Sequence, residues 1–320
     1  MTPHKQATAR RRSRVPRRAA AAVAVLLALI AALASCTTAS DGGQKPTIMV
    51  TTNILGDITG NIVGDAATVV VLMEANADPH SFGVSASQAG QMENAQLLIF
   101  NGLGLEEAVL AHIASAGAQG VPSLEVGAAV DPLPLGTEAG AALDPHFWTD
   151  PQRVLTAIGA IEDAVAAHVP DIDPAVLHSN AAAYKSKITE LDAWMGREFA
   201  ALPAERRRIV TNHHVFGYLA QRFELDLVGA IIPSGTTLAA PSASDLNSLA
   251  TAIRKSGVPA IFADTSQPDR LAQVLAEESG VKVKIVPLFS ESLSAPGEGA
   301  GTYLEMMRTN TTRMTAALSG

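Results

Sequence analysis

The stretch Asp173–Pro203, DPAVLHSNAAAYKSKITELDAWMGREFAALP, sets the architecture expected of this chain. Asp173 suits a helix N-cap and Pro174 the first helical position, where a proline's missing N–H is not needed. Leu177, Ala181, Tyr184, Ile188, Leu191, Met195 and Leu202 follow spacings built from fours and threes, which puts them on one face of a helix running to about Leu202. At 1.5 Å per residue such a helix spans ~40 Å, longer than a single small lobe needs. It is expected to be a strut between two lobes; an ordinary surface helix is the alternative.

On both sides of this stretch strands and helices alternate. Thr47–Thr52, Thr68–Met73, Leu97–Asn101 and Pro122–Val126 have the β-branched or apolar character of strands. Between them Asn53–Gly64, Ser85–Asn94 and Leu105–Ala116 have helical patterns, and Ser85 and Gln88 stand at capping-box spacing. Pro151–His168 is a further helix. After the long helix, Arg208–Thr211, Leu225–Ile232, Ala260–Ala263 and Val281–Val286 are expected as strands. His213–Phe223, Ser242–Ser256, Pro268–Ser279 and Tyr303–Leu318 are expected as helices, with Pro287–Leu293 a loop. The two halves match in pattern and show no repeat in sequence. The fold class is therefore α/β, two lobes with mainly parallel sheets flanked by helices, bridged by one long α-helix. The lobes are assigned to residues 47–150 and 204–320, and the helical segment to 151–203. In such sheets ligands bind beyond the carboxyl ends of the strands.

Residues 1–35 carry a basic cluster at Arg10, Arg11, Arg12, Arg14, Arg17 and Arg18, followed by an apolar run from Ala19 to Leu33. This is the pattern of a signal peptide, and the run is too short for a membrane-spanning helix. Leu33-Ala34-Ser35-Cys36 resembles a bacterial lipobox, which makes Cys36 the expected lipidation site and residues 36–46 a tether. Cys36 is the only cysteine, so neither an intrachain disulfide nor a thiolate metal site is available. Seven of the 23 basic residues lie in residues 1–35 and none of the 31 acidic ones, which leaves 16 basic against 31 acidic residues, a net charge of −15. So acidic a chain argues against nucleic-acid binding and suits a cationic ligand.

Leu143-Asp144-Pro145-His146-Phe147-Trp148-Thr149-Asp150-Pro151 holds a histidine on a stiff turn. Asp144 precedes proline and is held out of the helical region, while Asp150-Pro151 opens the next helix. A carboxylate two residues from His146 can accept one imidazole N–H and fix which nitrogen faces a metal. Alone, such a histidine is more often structural. His80, in a second Asp-Pro-His, together with His213 and His214, shares its context at a strand-to-helix junction, and Glu291 stands in an analogous loop after the last strand. His112, His168 and His178 lie on helices and are expected to be structural.

Asp78-Pro79-His80-Ser81-Phe82 with Asn101–Glu106, Asp144–Pro151, His213-His214-Val215-Phe216-Gly217-Tyr218 and Phe289-Ser290-Glu291-Ser292 occur in order along the chain. Together they resemble the zinc- or manganese-binding lipoproteins of bacterial ABC importers, the ZnuA/TroA type. The resemblance implies a lipid-anchored, monomeric substrate-binding protein on the outer face of the cell membrane, partnered by a permease and its ATPase. It also implies metal held by His80, His146, His213 and Glu291, with Asp144 and His214 beside them. His213 and His214 compete for the third position, and the motif alignment favours His213. Glu291 departs from the aspartate usual in the family. The His- and acid-rich loop common in zinc-specific members is absent from Gly127–Ala142.

Three imidazoles and one carboxylate suit Zn²⁺, while Mn²⁺ prefers more oxygen. Zinc is therefore the expected cargo, with manganese the alternative. No reaction is expected, only capture between lobes that tilt slightly. Because ligand imidazoles must be neutral, affinity should fall as pH drops through ~6.5. The rival classes are a secreted zinc-dependent hydrolase, with Glu291 as general base, and a chelate- or vitamin-binding protein, whose cleft would need more than the 4% aromatic residues present.

Overall fold

The structure is a computed structural model and describes residues 45–135 and 142–320. The signal peptide, Cys36 and most of the tether lie outside the described residues, as does 136–141.

The first lobe follows the expected alternation: β1 (Thr47–Val50), α1 (Asn53–Val63), β2 (Thr68–Val71), α2 (Ala86–Met92), β3 (Leu97–Phe100), α3 (Glu107–Ala118) and β4 (Ser123–Glu125). The capping box is present, Ser85 Oγ accepting from the Gln88 N–H and Gln88 Oε1 from the Ser85 N–H. Two helices follow, α4 (Pro151–His168) and α5 (Pro174–Ala200), the latter being the long one. Asp150 Oδ1 and Asp173 Oδ1 accept from the second N–H of α4 and α5 respectively, the N-caps read from the sequence. The second lobe contains β5 (Arg208–His213), α6 (Gly217–Phe223), β6 (Asp226–Ile232), α7 (Ala243–Ser256), β7 (Ala260–Asp264), α8 (Arg270–Ser279), β8 (Lys284–Leu288) and α9 (Tyr303–Ser319).

Both sheets are four-stranded and wholly parallel. Their orders, β2-β1-β3-β4 and β6-β5-β7-β8, are the same topology. Each order reverses between its two central strands, and the loops leaving those carboxyl ends enclose a crevice. Leu177, Ala181, Tyr184, Ile188, Leu191, Met195 and Phe199 of α5 are buried in one apolar cluster that runs from the β1–α1 layer to α9. The outer faces of the two sheets have separate, smaller clusters. A core continuous through both lobes leaves little apolar seam along which they could part, so α5 acts as the expected strut.

Two expectations need correction. The helix after His213 begins at Gly217, because β5 continues through His213, which pairs with Ile232, and His214 N–H donates to Ser234 O. Likewise β8 begins at Lys284 rather than Val281 and extends through Pro287 and Leu288. Proline is tolerated there because β8 is an edge strand and one side of it has no ladder partner.

Candidate metal centre

The four residues singled out at loops and strand ends converge. His80 lies in the loop after β2, His146 one short 3₁₀ turn before α4, His213 at the end of β5, and Glu291 three residues beyond β8. Their donor atoms lie within 4.8 Å of one another, and among the described residues they form a group that could hold one ion. His146 Nε2 is 3.5 Å from His80 Nε2 and 3.6 Å from Glu291 Oε1. His213 Nε2 is 2.9 Å from Glu291 Oε1, and His80 Nε2 is 3.8 Å from Oε2. The three rings stand edge to face, with centroids 5.3–5.6 Å apart. All four side chains are at most 3% exposed. His214, the competitor for the third position, is half-buried and its ring is not part of the group.

These groups are not paired as ordinary buried polar groups are. Both carboxylate oxygens of Glu291 and both ring nitrogens of His213 have no hydrogen-bond partner among the described residues. The 2.9 Å approach of His213 to Glu291 therefore brings the atoms together without hydrogen-bond geometry. Orphaned buried donors and acceptors carry a penalty of several kcal/mol in total. A cation at the centre would satisfy the inward imidazole lone pairs and the carboxylate oxygens at once.

Burial dominates the electrostatics. It drives the His80 pKa down to about 2, helped by His146 and His213, and lowers that of His213. It drives the Glu291 pKa up to about 8, with His146 opposing and Asp264, Asp78 and Asp144 reinforcing. Burial thus adds the Glu291 carboxyl to the proton linkage expected of the histidines. Burial favours the neutral imidazoles of His80 and His213, and it favours a protonated Glu291, whose proton a metal would have to displace.

An aspartate steadies each of three members. Asp144 Oδ1 accepts the His146 Nδ1–H at 2.7 Å and its backbone N–H at 3.0 Å, which leaves Nε2 to face the centre. Asp78 Oδ1 accepts the His80 N–H at 3.0 Å. Asp264 Oδ2 accepts from Ser290 N, Ser290 Oγ and the Glu291 N–H. His213 is set by β5 itself, its carbonyl accepting from Thr211 Oγ1 at 2.6 Å. A Cβ on Gly217 would lie 2.6 Å from Asp144 Oδ2, so glycine is what lets the start of α6 pass so close. Behind His146, buried Glu106 accepts from Asn101 N, Gly102 N and Thr51 Oγ1, and Asn101 Nδ2 in turn donates to Pro145 O.

Sequence reasoning found the Asp144 contact and missed Asp264, Glu106 and the bonds that cross the cleft. Trp148 Nε1–H donates to Ser290 O at 2.9 Å, Tyr218 Oη–H to Asp144 O at 2.7 Å, and Tyr303 Oη–H to Trp148 O at 2.7 Å. The position of Asp264 at the carboxyl end of a central strand was the available signal for it.

Residues 48–317 match the ZnuA family, described as zinc-uptake complex component A, periplasmic. The manganese-binding lipoprotein MntA of Halalkalibacterium halodurans is 28% identical over 286 residues, 89% of this chain and 93% of the relative. The iron-binding protein YfeA of Yersinia pestis is 30% identical over 273 residues, 84% and 85% of the two chains. The solved structure of the periplasmic zinc-binding protein TroA of Treponema pallidum superimposes with a TM-score of 0.80 at 27% identity, covering 86% of this chain and all of that one.

Proposed function

We propose that this chain, which belongs to the ZnuA family of periplasmic zinc-uptake components, is the extracytoplasmic substrate-binding protein of an ABC importer. Its cargo is one divalent transition-metal ion, zinc in preference to manganese, held by His80, His146, His213 and Glu291. The observation that carries this reading is four buried donor side chains whose ligand atoms lie within 4.8 Å of one another, with both Glu291 oxygens and His213 Nε2 unpaired among the described residues.

The relatives' names divide among manganese, iron and zinc, so the choice rests on the donor set. Three nitrogens and one oxygen suit zinc, whose bonds of ~2.0–2.1 Å would separate tetrahedral donors by ~3.3–3.4 Å. Four of the separations among these donors, 2.9, 3.5, 3.6 and 3.8 Å, bracket that value, and the whole set lies within 4.8 Å. Manganese remains the second reading for one reason. Glu291 turns Oε1 towards His146 and His213 and Oε2 towards His80, so both oxygens could bind and raise the coordination number.

A hydrolytic zinc keeps an open position for water, and donors at most 3% exposed do not favour one. Capture without chemistry fits better. The ion draws together donors from both lobes, and the continuous core limits the response to tilts and loop movements. Delivery is to a permease driven by an ATPase, and the chain acts as a monomer anchored on the outer face of the cell membrane through lipid on Cys36, a reading the sequence of residues 1–36 supports.

The test is elemental analysis of protein purified without added metal, followed by calorimetric competition between zinc and manganese. One equivalent of zinc, displaced only weakly by manganese, is expected; failure to bind either metal would sink the assignment.

A further inference from the structure

We infer that Thr237 and Gln267 form a latch across the cleft, with the Asp78 carboxylate as its catch, and that this latch governs how fast the ion leaves. The inference rests on the carrier reading above and adds two residues to it.

Asp78 is 7% exposed and serves both sides of the cleft. One oxygen, Oδ1, holds the backbone N–H of His80. The other, Oδ2, accepts Ser81 Oγ–H at 3.1 Å from its own loop. From the second lobe Oδ2 also accepts Thr237 Oγ1–H at 2.7 Å and Gln267 Nε2–H at 2.9 Å. Hydrogen bonds to a carboxylate are stronger than neutral ones, so these two are a substantial fraction of what fastens the His80 loop. Both are only partly buried, and Leu238, next to Thr237, is 60% exposed. Water can therefore compete for them, as it cannot for the buried bonds around His146.

The second observation supplies the open state. Gln267 also lines a cavity of about 60 Å³ at the carboxyl ends of β5 and β7, together with Asn212 and Asp264. Asn212 Oδ1 is buried and has no hydrogen-bond partner among the described residues. One wall of the cavity thus holds an acceptor in need of a donor, and another holds an amide whose donor is engaged elsewhere. Turning into the cavity, the Gln267 amide exchanges Asp78 Oδ2 for Asn212 Oδ1. An alternative partner lowers the cost of opening and makes the element two-state. When the latch lets go, Asp78 loses its hold on the second lobe, and the main chain of His80 moves with it.

The experiment is stopped-flow release of zinc from the full chain into excess chelator, with stoichiometry and association rate measured alongside. Thr237→Val combined with Gln267→Ala should release zinc about tenfold faster while still binding one equivalent. Thr237→Ser, which keeps the hydroxyl, should release at the parent rate. Asn212→Ala should slow release, a change opposite in sign to that caused by damage to the site. Parent-like release from the double variant, or faster release from Asn212→Ala, overturns the latch. Either result leaves the carrier reading intact if the parent chain loads normally. A parent chain that takes up neither zinc nor manganese overturns both.

Discussion

His146 and His80 face the same point, yet the chain around them is held in opposite ways. His146 is rooted in a 3₁₀ turn and α4, and buried bonds from Trp148, Tyr218 and Tyr303 tie its segment to the second half of the molecule. His80 sits in a stretch without helix or strand between β2 and α2. Its ties across the cleft are the part-buried bonds to Asp78 and those of Asn76, whose N–H donates to Leu293 O and whose amide donates to Glu298 at an exposed position. Segments with solvent-exposed hydrogen bonds open at lower free energy than those with buried ones. One imidazole is thus part of the frame, and the other stands on the edge that can be lifted.

The harshest attack on this contrast removes each imidazole in turn. His146→Ala and His80→Ala should each lower zinc affinity more than a hundredfold by calorimetry, since even a residue behind a ligand is commonly worth ten- to a hundredfold. His146→Ala should lose more than His80→Ala, and equal losses would break the contrast. Asp144→Asn comes next. It keeps the shape but weakens the bond that orients the His146 ring, and a loss of about ten- to a hundredfold is expected with stoichiometry unchanged.

Proton linkage gives a smaller, graded effect. Because Glu291 holds its proton up to about pH 8, affinity should fall about tenfold per unit as pH drops from there. Calorimetry at pH 7 in buffers of different ionisation enthalpy should then find close to one proton released per ion. The stability of the metal-free fold moves the other way. A carboxyl pKa raised from 4.5 to about 8 favours folding at low pH, and that contribution is lost as pH rises through about 8. Zero proton release would remove Glu291 from the account.

The smallest effect sharpens the contrast from the His146 side. Trp148→Phe deletes the indole donor and leaves the buried Ser290 carbonyl short of a partner, which should cost about 1–3 kcal/mol of stability. A thermal scan should register a drop of several degrees, with affinity changed less than tenfold.

Much of this frame was legible in the sequence where the signal is local. Asp150-Pro151 and Asp173-Pro174 open helices where they are read, and Ser85 with Gln88 forms its capping box. Six apolar positions of α5 are buried as its periodicity requires. The exception at His213 is instructive. Its neighbours have helical character, but pairing with Ile232 keeps β5 extended through it, so a tertiary contact overrides the local preference. Asp144, two residues from the ring it orients, was visible. The partners of Asp78, 159 and 189 residues away in Thr237 and Gln267, were not.

By itself, then, the sequence determined the elements, their alternation and the residue types able to bind a metal, because caps, prolines and periodicity act within a few residues. Only the tertiary structure decided that both sheets adopt one strand order, that the four donors meet at one point, and that burial raises the Glu291 pKa. Those outcomes depend on enclosure and on which distant groups share a dry crevice, and burial of that kind exists only once the two lobes have packed on a common helix.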